Sequence, residues 1–175
     1  MKKNILAVAL GGVVLFLWGF FSWAVMPWHY TVANEFSSEQ AVAQVLKENA
    51  PNAGVYYLPF AEQGKKAGET SAFVNVLPNG PEMNMGKQMG KALLGQMLAA
   101  FLVLLLLRST SGLGYIQRVG FVALVGLTVG FVSHFPYWNW FGFSSAYVLV
   151  TIVDSLIAWT LAGLVLARFA GGERD

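Results

Sequence analysis

The sequence predicts a mainly α-helical membrane protein: a four-transmembrane-helix bundle with a small extracytoplasmic α+β insertion, one helix and one β-hairpin, between helices 1 and 2. Three observations predict it. Of 175 residues, 56% are hydrophobic and only 11% charged, against the roughly 25% charged of an average soluble domain. Mean hydropathy is +0.56. The apolar residues fall in four long runs, and that much apolar surface in so short a chain needs lipid as its solvent. A disordered chain, a secreted disulfide scaffold and an ordinary cytosolic enzyme are excluded on the same grounds.

The first run, residues 4–26, reads NILAVALGGVVLFLWGFFSWAVM. At 1.5 Å per residue it crosses a hydrocarbon core of about 30 Å. It follows Lys2 and Lys3, as a signal peptide would. Its apolar stretch is longer than the roughly 7–15 residues of a signal core, and no A-x-A site follows, so it reads as an uncleaved anchor.

Residues 30–84 are the one sizeable polar segment. Ser37 or Ser38 caps a helix over residues 39–49, with Ala41, Val42, Val45 and Leu46 on one face. Pro51-Asn52 ends it. GVYYLPF (54–60) and SAFVNVLP (71–78) read as two short strands joined by the polar loop EQGKKAGET. Pro78-Asn79-Gly80-Pro81 is a turn. One helix and one hairpin are too little to fold alone, so the hairpin's apolar face needs the short helix, the membrane surface or a partner chain.

The second span is residues 85–107, with Lys87 and Lys91 snorkelling to the interface. The third is 115–134 and the fourth 144–168, followed by a tail over 169–175. Basic residues orient the spans. With the N-terminus inside, Lys2, Lys3, Arg108, Arg118, Arg168 and Arg174 face the cytoplasm against only Glu173 and Asp175, while the outer segment carries mixed charge. Trp28, Tyr30, Tyr137, Trp138 and Trp140 then form an aromatic belt at the outer interface. The expected location is a bacterial inner (plasma) membrane, crossed several times, with both termini cytoplasmic.

The chain has no cysteine, which removes disulfides, thiolate catalysis and Cys-ligated metal centres. A formal charge of +2, scattered along the chain, gives no reason to expect nucleic acid as a partner. No phosphate-cradling loop, nucleophile elbow or HExxH pair is present. No catalytic residue and no cofactor is therefore expected, and the protein reads as a non-enzyme.

Asp154 is the sharpest feature. It lies about 15 Å into the fourth span, near its middle, where a carboxylate costs a few kcal/mol unless it is neutralised or paired. Ser155 and Thr151 on its own helix, Gln96 on the second, Thr128 on the third and Lys91 higher up are its candidate neighbours. It reads either as a proton or cation relay or as a structural clasp between helices. The lack of companion ionisable groups in the sequence favours the clasp. His29 and His134 close the first and third spans at the outer rim and suggest paired haem or metal ligation; interfacial imidazoles among Pro and aromatics are the plainer reading. Met83, Met85 and Met89, with Met26 near His29, suggest a Cu(I) site, against simple gap-filling. Gly86/Gly90 and Gly126/Gly130 are small-xxx-small pairs that let another helix approach closely.

At MPWH, GVYYLP, AFVNVLPNG and HFPYWNWFGFSSAY…D…AWTLAGLVLARF, the chain resembles a set of bacterial four-span inner-membrane proteins without assigned activity. The resemblance covers nearly the whole chain. It implies the same topology and carries over no functional residue. The function expected is a non-catalytic accessory or scaffold subunit that packs with other membrane subunits or with copies of itself in the lipid bilayer. Tyr56, Tyr57, Phe60 and Phe73 outside and Trp159 within the bundle are its candidate partner contacts. The alternatives are a haem- or copper-binding redox protein at the outer interface, and a small oligomeric channel or proton-coupled carrier using Asp154.

Overall fold

A computed structural model describes residues 2–61 and 66–170. Part of the EQGKKAGET loop, and the tail from residue 171 on with Glu173, Arg174 and Asp175, lie outside the described residues. The chain divides into two compact units, residues 1–33 with 84–175, and residues 34–83.

The larger unit is helical. It contains α1 (Lys2–Ala24), a single turn α2 (Trp28–Thr31), α4 (Met85–Arg108), α5 (Tyr115–Phe141) and α6 (Ser145–Ala170). α1, α4, α5 and α6 are each long and apolar enough to cross a membrane. α1 stops two residues before its expected end, because Pro27 disfavours helical backbone in the residue before it. α5 runs seven residues past His134, the expected end, with Pro136 inside it. Proline removes one backbone donor there, a loss that apolar helices tolerate when neighbours take up the freed carbonyl. The helix ends instead at Gly142, whose φ of 71° supplies the left-handed cap that glycine adopts without strain.

Close approach holds this unit together. Where lipid solvates apolar side chains as well as protein does, helices associate through packing of small residues rather than through hydrophobic burial. α5 and α6 form an antiparallel hairpin in which Gly126 faces Trp159, Gly130 faces Ser155 and Ile152, and Gly163 faces Val122. Ser155 Oγ donates to the Gly126 carbonyl across the seam at 2.8 Å. α1 packs on both α4 and α6: Gly12 lies against Met97, and Gly11 against Leu166 and Ala100. Ala7, Leu15, Ala100, Leu104, Leu107, Val122, Ala162 and Leu166 fill the common core. α1 runs antiparallel to α4 and α6, so Lys2, Lys3, Arg108, Arg118 and Arg168 collect at one end of the bundle. Gly86 and Gly90 behave differently from Gly126 and Gly130. Gly90 has open space over it, and Gly86 meets only the Asn84 side chain.

The unit 34–83 holds α3 (Glu39–Asn49), β1 (Gly54–Leu58) and β2 (Ala72–Val76). Ser38 caps α3 by accepting the Ala41 N–H. No residue of α3 is buried; Val42 and Leu46 are half-buried and Val45 is exposed. The strands pair antiparallel, Gly54 opposite Val76 and Leu58 opposite Ala72. Tyr57 faces Phe73 across the ladder with ring centroids 5.1 Å apart, the pairing that stabilises a two-stranded ribbon.

A methyl group at Gly126 would overlap the Trp159 side chain, whereas one at Gly95 meets nothing. Gly126→Ala is expected to destabilise the helical unit by about 1–3 kcal/mol through overpacking, and Gly95→Ala to raise its stability by up to about 1 kcal/mol through helix propensity. Reversible unfolding in mixed micelles measures both.

Candidate functional site

The site is built from the end of α1, the corner that follows it, and one residue of α6. Trp18 and Ser22 are four residues apart on α1 and share a face. The helix breaks at Val25-Met26-Pro27, and the turn α2 folds back so that His29 reaches Ser22, seven residues earlier. α6 contributes Asp154. On its own helix Asp154 is about 14 Å from Ser145, yet on α1 it meets residues only about 3–9 Å from Ala24, by the 1.5 Å rise. The end of α6 therefore extends past the end of α1, and Asp154 is level with the last two turns of α1.

The geometry is dense in hydrogen bonds. Trp18 Nε1 donates to Asp154 Oδ1 at 2.7 Å, and Ser22 Oγ donates to the same oxygen at 2.7 Å. His29 Nε2 lies 3.0 Å from Ser22 Oγ and 3.6 Å from Asp154 Oδ2. Trp28 Nε1 donates to Ser22 Oγ at 3.1 Å and leans on the Ser22 carbonyl at 3.3 Å. Trp23 stacks on the imidazole, centroids 3.8 Å apart and planes 7° apart, and Trp28 meets it edge-on. Ser22 is wholly buried and His29 is 3% exposed; the Asp154 side chain is 17% exposed. His29 Nδ1 is buried and has no hydrogen-bond partner. Burial pushes the His29 imidazole below its ordinary pKa of 6.5, with the Asp154 carboxylate pulling the other way. A carboxylate this deep is tolerated because donors converge on it from another helix.

Serine, histidine and aspartate together invite a hydrolase reading, and the geometry argues against it. In a nucleophilic triad the base uses one ring nitrogen for the serine and the other for the carboxylate. Here both approach Nε2, the serine hydroxyl donates to the carboxylate, and Ser22 is closed to solvent.

The neighbours that the sequence suggested for Asp154 are elsewhere. Ser155 is bound to α5 through the Gly126 carbonyl. Thr151 and Thr128 donate to carbonyls of their own helices, Val148 and Leu124. Gln96 lines a groove of about 330 Å³ between α1 and α4. Asp154 is not without companions, as the sequence suggested; Ser22 and His29 supply them. The two histidines make separate contacts, since His134 Nδ1 is held by the Gly130 carbonyl at 2.9 Å. At His29, Nε2 is occupied by Ser22 and Asp154, while Nδ1 is buried and unpartnered. Among the described residues no three His, Asp or Glu side chains cluster as metal ligands. Met85 and Met89 line the same groove as Gln96, Met26 sits at the α1 corner, and Met83 belongs to the 34–83 unit and is 89% exposed. Trp159 is buried against Gly126 in the α5–α6 seam. Tyr56 donates its hydroxyl to the Asn52 carbonyl.

Trp18 and Ser22 are not among the residues that the sequence singles out, and Trp28 stands there only as a member of the aromatic belt. The available signal was a pair of side-chain donors, Trp18 and Ser22, spaced four apart inside an otherwise apolar helix, followed by a proline that turns the chain back. Comparison with protein-family models, with curated proteins and with solved structures finds no match to this chain.

Asp154→Ala would leave the part-buried Trp18 donor without its acceptor, while Ser22 can still donate to His29 Nε2, and is expected to cost about 1–3 kcal/mol. Asp154→Asn keeps an acceptor oxygen and should cost less. Trp18→Phe removes one donor from a carboxylate that retains another, with a loss of about 1 kcal/mol. Unfolding titrations of the three variants in the same detergent rank them.

Proposed function

We propose that the protein is a non-catalytic accessory or scaffold subunit of a bacterial inner membrane, anchored by α1, α4, α5 and α6 with both termini in the cytoplasm, and that it packs into a larger membrane assembly. The observation that carries this reading is the surface of the 34–83 unit. Phe60 is 89% exposed, and Val55, Tyr57, Leu58 and Leu77 are exposed beside it in sequence or across the hairpin. Exposed apolar side chains at this density on so small a unit mark an interaction surface. The open space over Gly90 on α4 supports a second contact inside the bilayer, of the kind small residues make. The basic cluster at one bundle end supports the orientation, because Lys and Arg near short loops stay cytoplasmic.

A second reading is favoured by one observation: Asp154 has His29 and Ser22 as companions, which a small proton-coupled carrier requires. Asp154→Asn in liposomes tests it; unchanged proton flux removes the carrier and leaves the scaffold.

The scaffold reading predicts that, extracted from native membranes in mild detergent, the protein runs in an assembly larger than itself. Val55→Asp together with Phe60→Asp is expected to release it as a smaller species without unfolding α1, α4, α5 and α6. A wild-type monomer in that extract, with the hairpin protected from hydrogen exchange, defeats the reading.

A further inference from the structure

Ser22 is the centre of the cluster, with hydrogen bonds to Trp28, Asp154 and His29. Its oxygen accepts from Trp28 Nε1. A hydroxyl has one hydrogen to give and two lone pairs to fill. With one lone pair taken by Trp28, two arrangements remain for the other two neighbours. In the first, Ser22 donates to Asp154 Oδ1 and accepts from His29 Nε2–H. In the second, the acid proton of Asp154 donates to Ser22, and Ser22 donates to His29 Nε2. Both arrangements satisfy every polar atom between Asp154 and Nε2 with the heavy atoms where they stand, 2.7 Å and 3.0 Å apart. They differ in the direction in which hydrogens point, in the tautomer of the imidazole, and by one proton, which the second arrangement has gained.

We propose that Asp154, Ser22 and His29 form a proton-binding relay, in which the Ser22 hydroxyl passes a proton between His29 Nε2 and Asp154 Oδ1. When a proton binds at His29 Nδ1, the Nε2–H bond breaks as a bond from that hydrogen to Ser22 Oγ forms. The original Ser22 O–H bond breaks as its hydrogen bonds to Asp154 Oδ1. An imidazolium and a carboxylate become a neutral imidazole, protonated on Nδ1, and a carboxylic acid; no oxidant, reductant or other reactant is needed. The neutral outcome is favoured because two charges cost more than two dipoles where water is excluded. Among the described residues, Asp154 from α6 is the charged group that acts on His29; α1 presents Trp18, Ser22 and Trp23, none of which carries charge. Trp18 holds Oδ1 in place through both arrangements, since it donates to a lone pair that the acid retains. Burial of the imidazole, which disfavours its cationic form, agrees with this direction of transfer. His29 Nδ1, buried and unpartnered, is the end at which a proton enters or leaves. The relay does not rest on the scaffold or the carrier reading, because it needs neither a partner nor a gradient.

The test uses the full chain in lipid nanodiscs with ¹⁵N-labelled histidine, His134 being assigned by difference from His29→Gln. Nitrogen NMR follows the His29 tautomer across a pH series, and difference infrared spectroscopy follows the Asp154 carboxyl, assigned with Asp154→Asn. In the wild type, loss of the Nε2–H tautomer, gain of Nδ1–H and gain of the carboxylic acid band are expected at one shared midpoint, with no imidazolium signal. Ser22→Ala is expected to abolish the shared step, so that His29 becomes imidazolium while Asp154 stays ionised; Ser22→Thr restores it. A wild-type imidazole that keeps Nε2–H at every pH, or one that charges directly beside an ionised Asp154, overturns the relay. The wild-type spectra decide this alone, even where Ser22→Ala fails to fold.

Discussion

A carboxylate on an apolar helix is the constraint around which the larger unit is arranged. Asp154 can sit on α6 only if donors reach it, and α6 itself offers none at that face. The donors come from α1, four residues apart, and from the corner behind it. That requirement fixes the rotation of α1 about its axis, the level at which it crosses α6, and the point at which the chain after α1 must fold back. Pro27 serves the same end by stopping the helix just beyond Ser22, so that His29 can return to it. One ionisable side chain thereby couples an interhelical packing decision to the shape of a loop.

The rest of the bundle is assembled by the absence of side chains. Gly126, Gly130 and Gly163 bring α5 and α6 to near backbone contact, and Gly11 and Gly12 do the same for α1 against α6 and α4. Trp159 shows why such contacts are specific: its indole is accommodated only because the facing position has no Cβ. Polar groups along these seams are satisfied locally, as Ser155 is by the Gly126 carbonyl, so the packing carries few unpaired dipoles. The His29 Nδ1 atom departs from that rule, and it lies where the cluster has a chemical use for it.

The two units rest on different physics. The helical unit needs shape complementarity and paired polar atoms. The 34–83 unit has the cross-strand pair of Tyr57 and Phe73, a capped but unburied helix and exposed apolar side chains; a ribbon of two strands gains little from its own ladder.

The four apolar helices, the short helix after Ser37-Ser38 and the strand pair were legible from residue order, because hydropathy over long runs and alternation over short ones are local properties. So was the oddity of Asp154. Helix ends were less legible: Pro27 and Pro136 look alike in sequence, yet one ends a helix and the other lies within it, because the cost of a lost backbone donor depends on what surrounds it. The partners of Asp154 were not legible at all. Proximity along α6 pointed to Ser155 and Thr151, which face other ways, and the side chains that bind it are more than 130 positions distant. Which face of α1 meets α6, and which glycines are filled and which left open, are properties of two surfaces together. Residue order determined that this chain makes apolar helices, one of them with an acid in its middle; only the tertiary structure decided what that acid is bonded to, since hydrogen bonds across helices are set by register and rotation, which no single helix encodes.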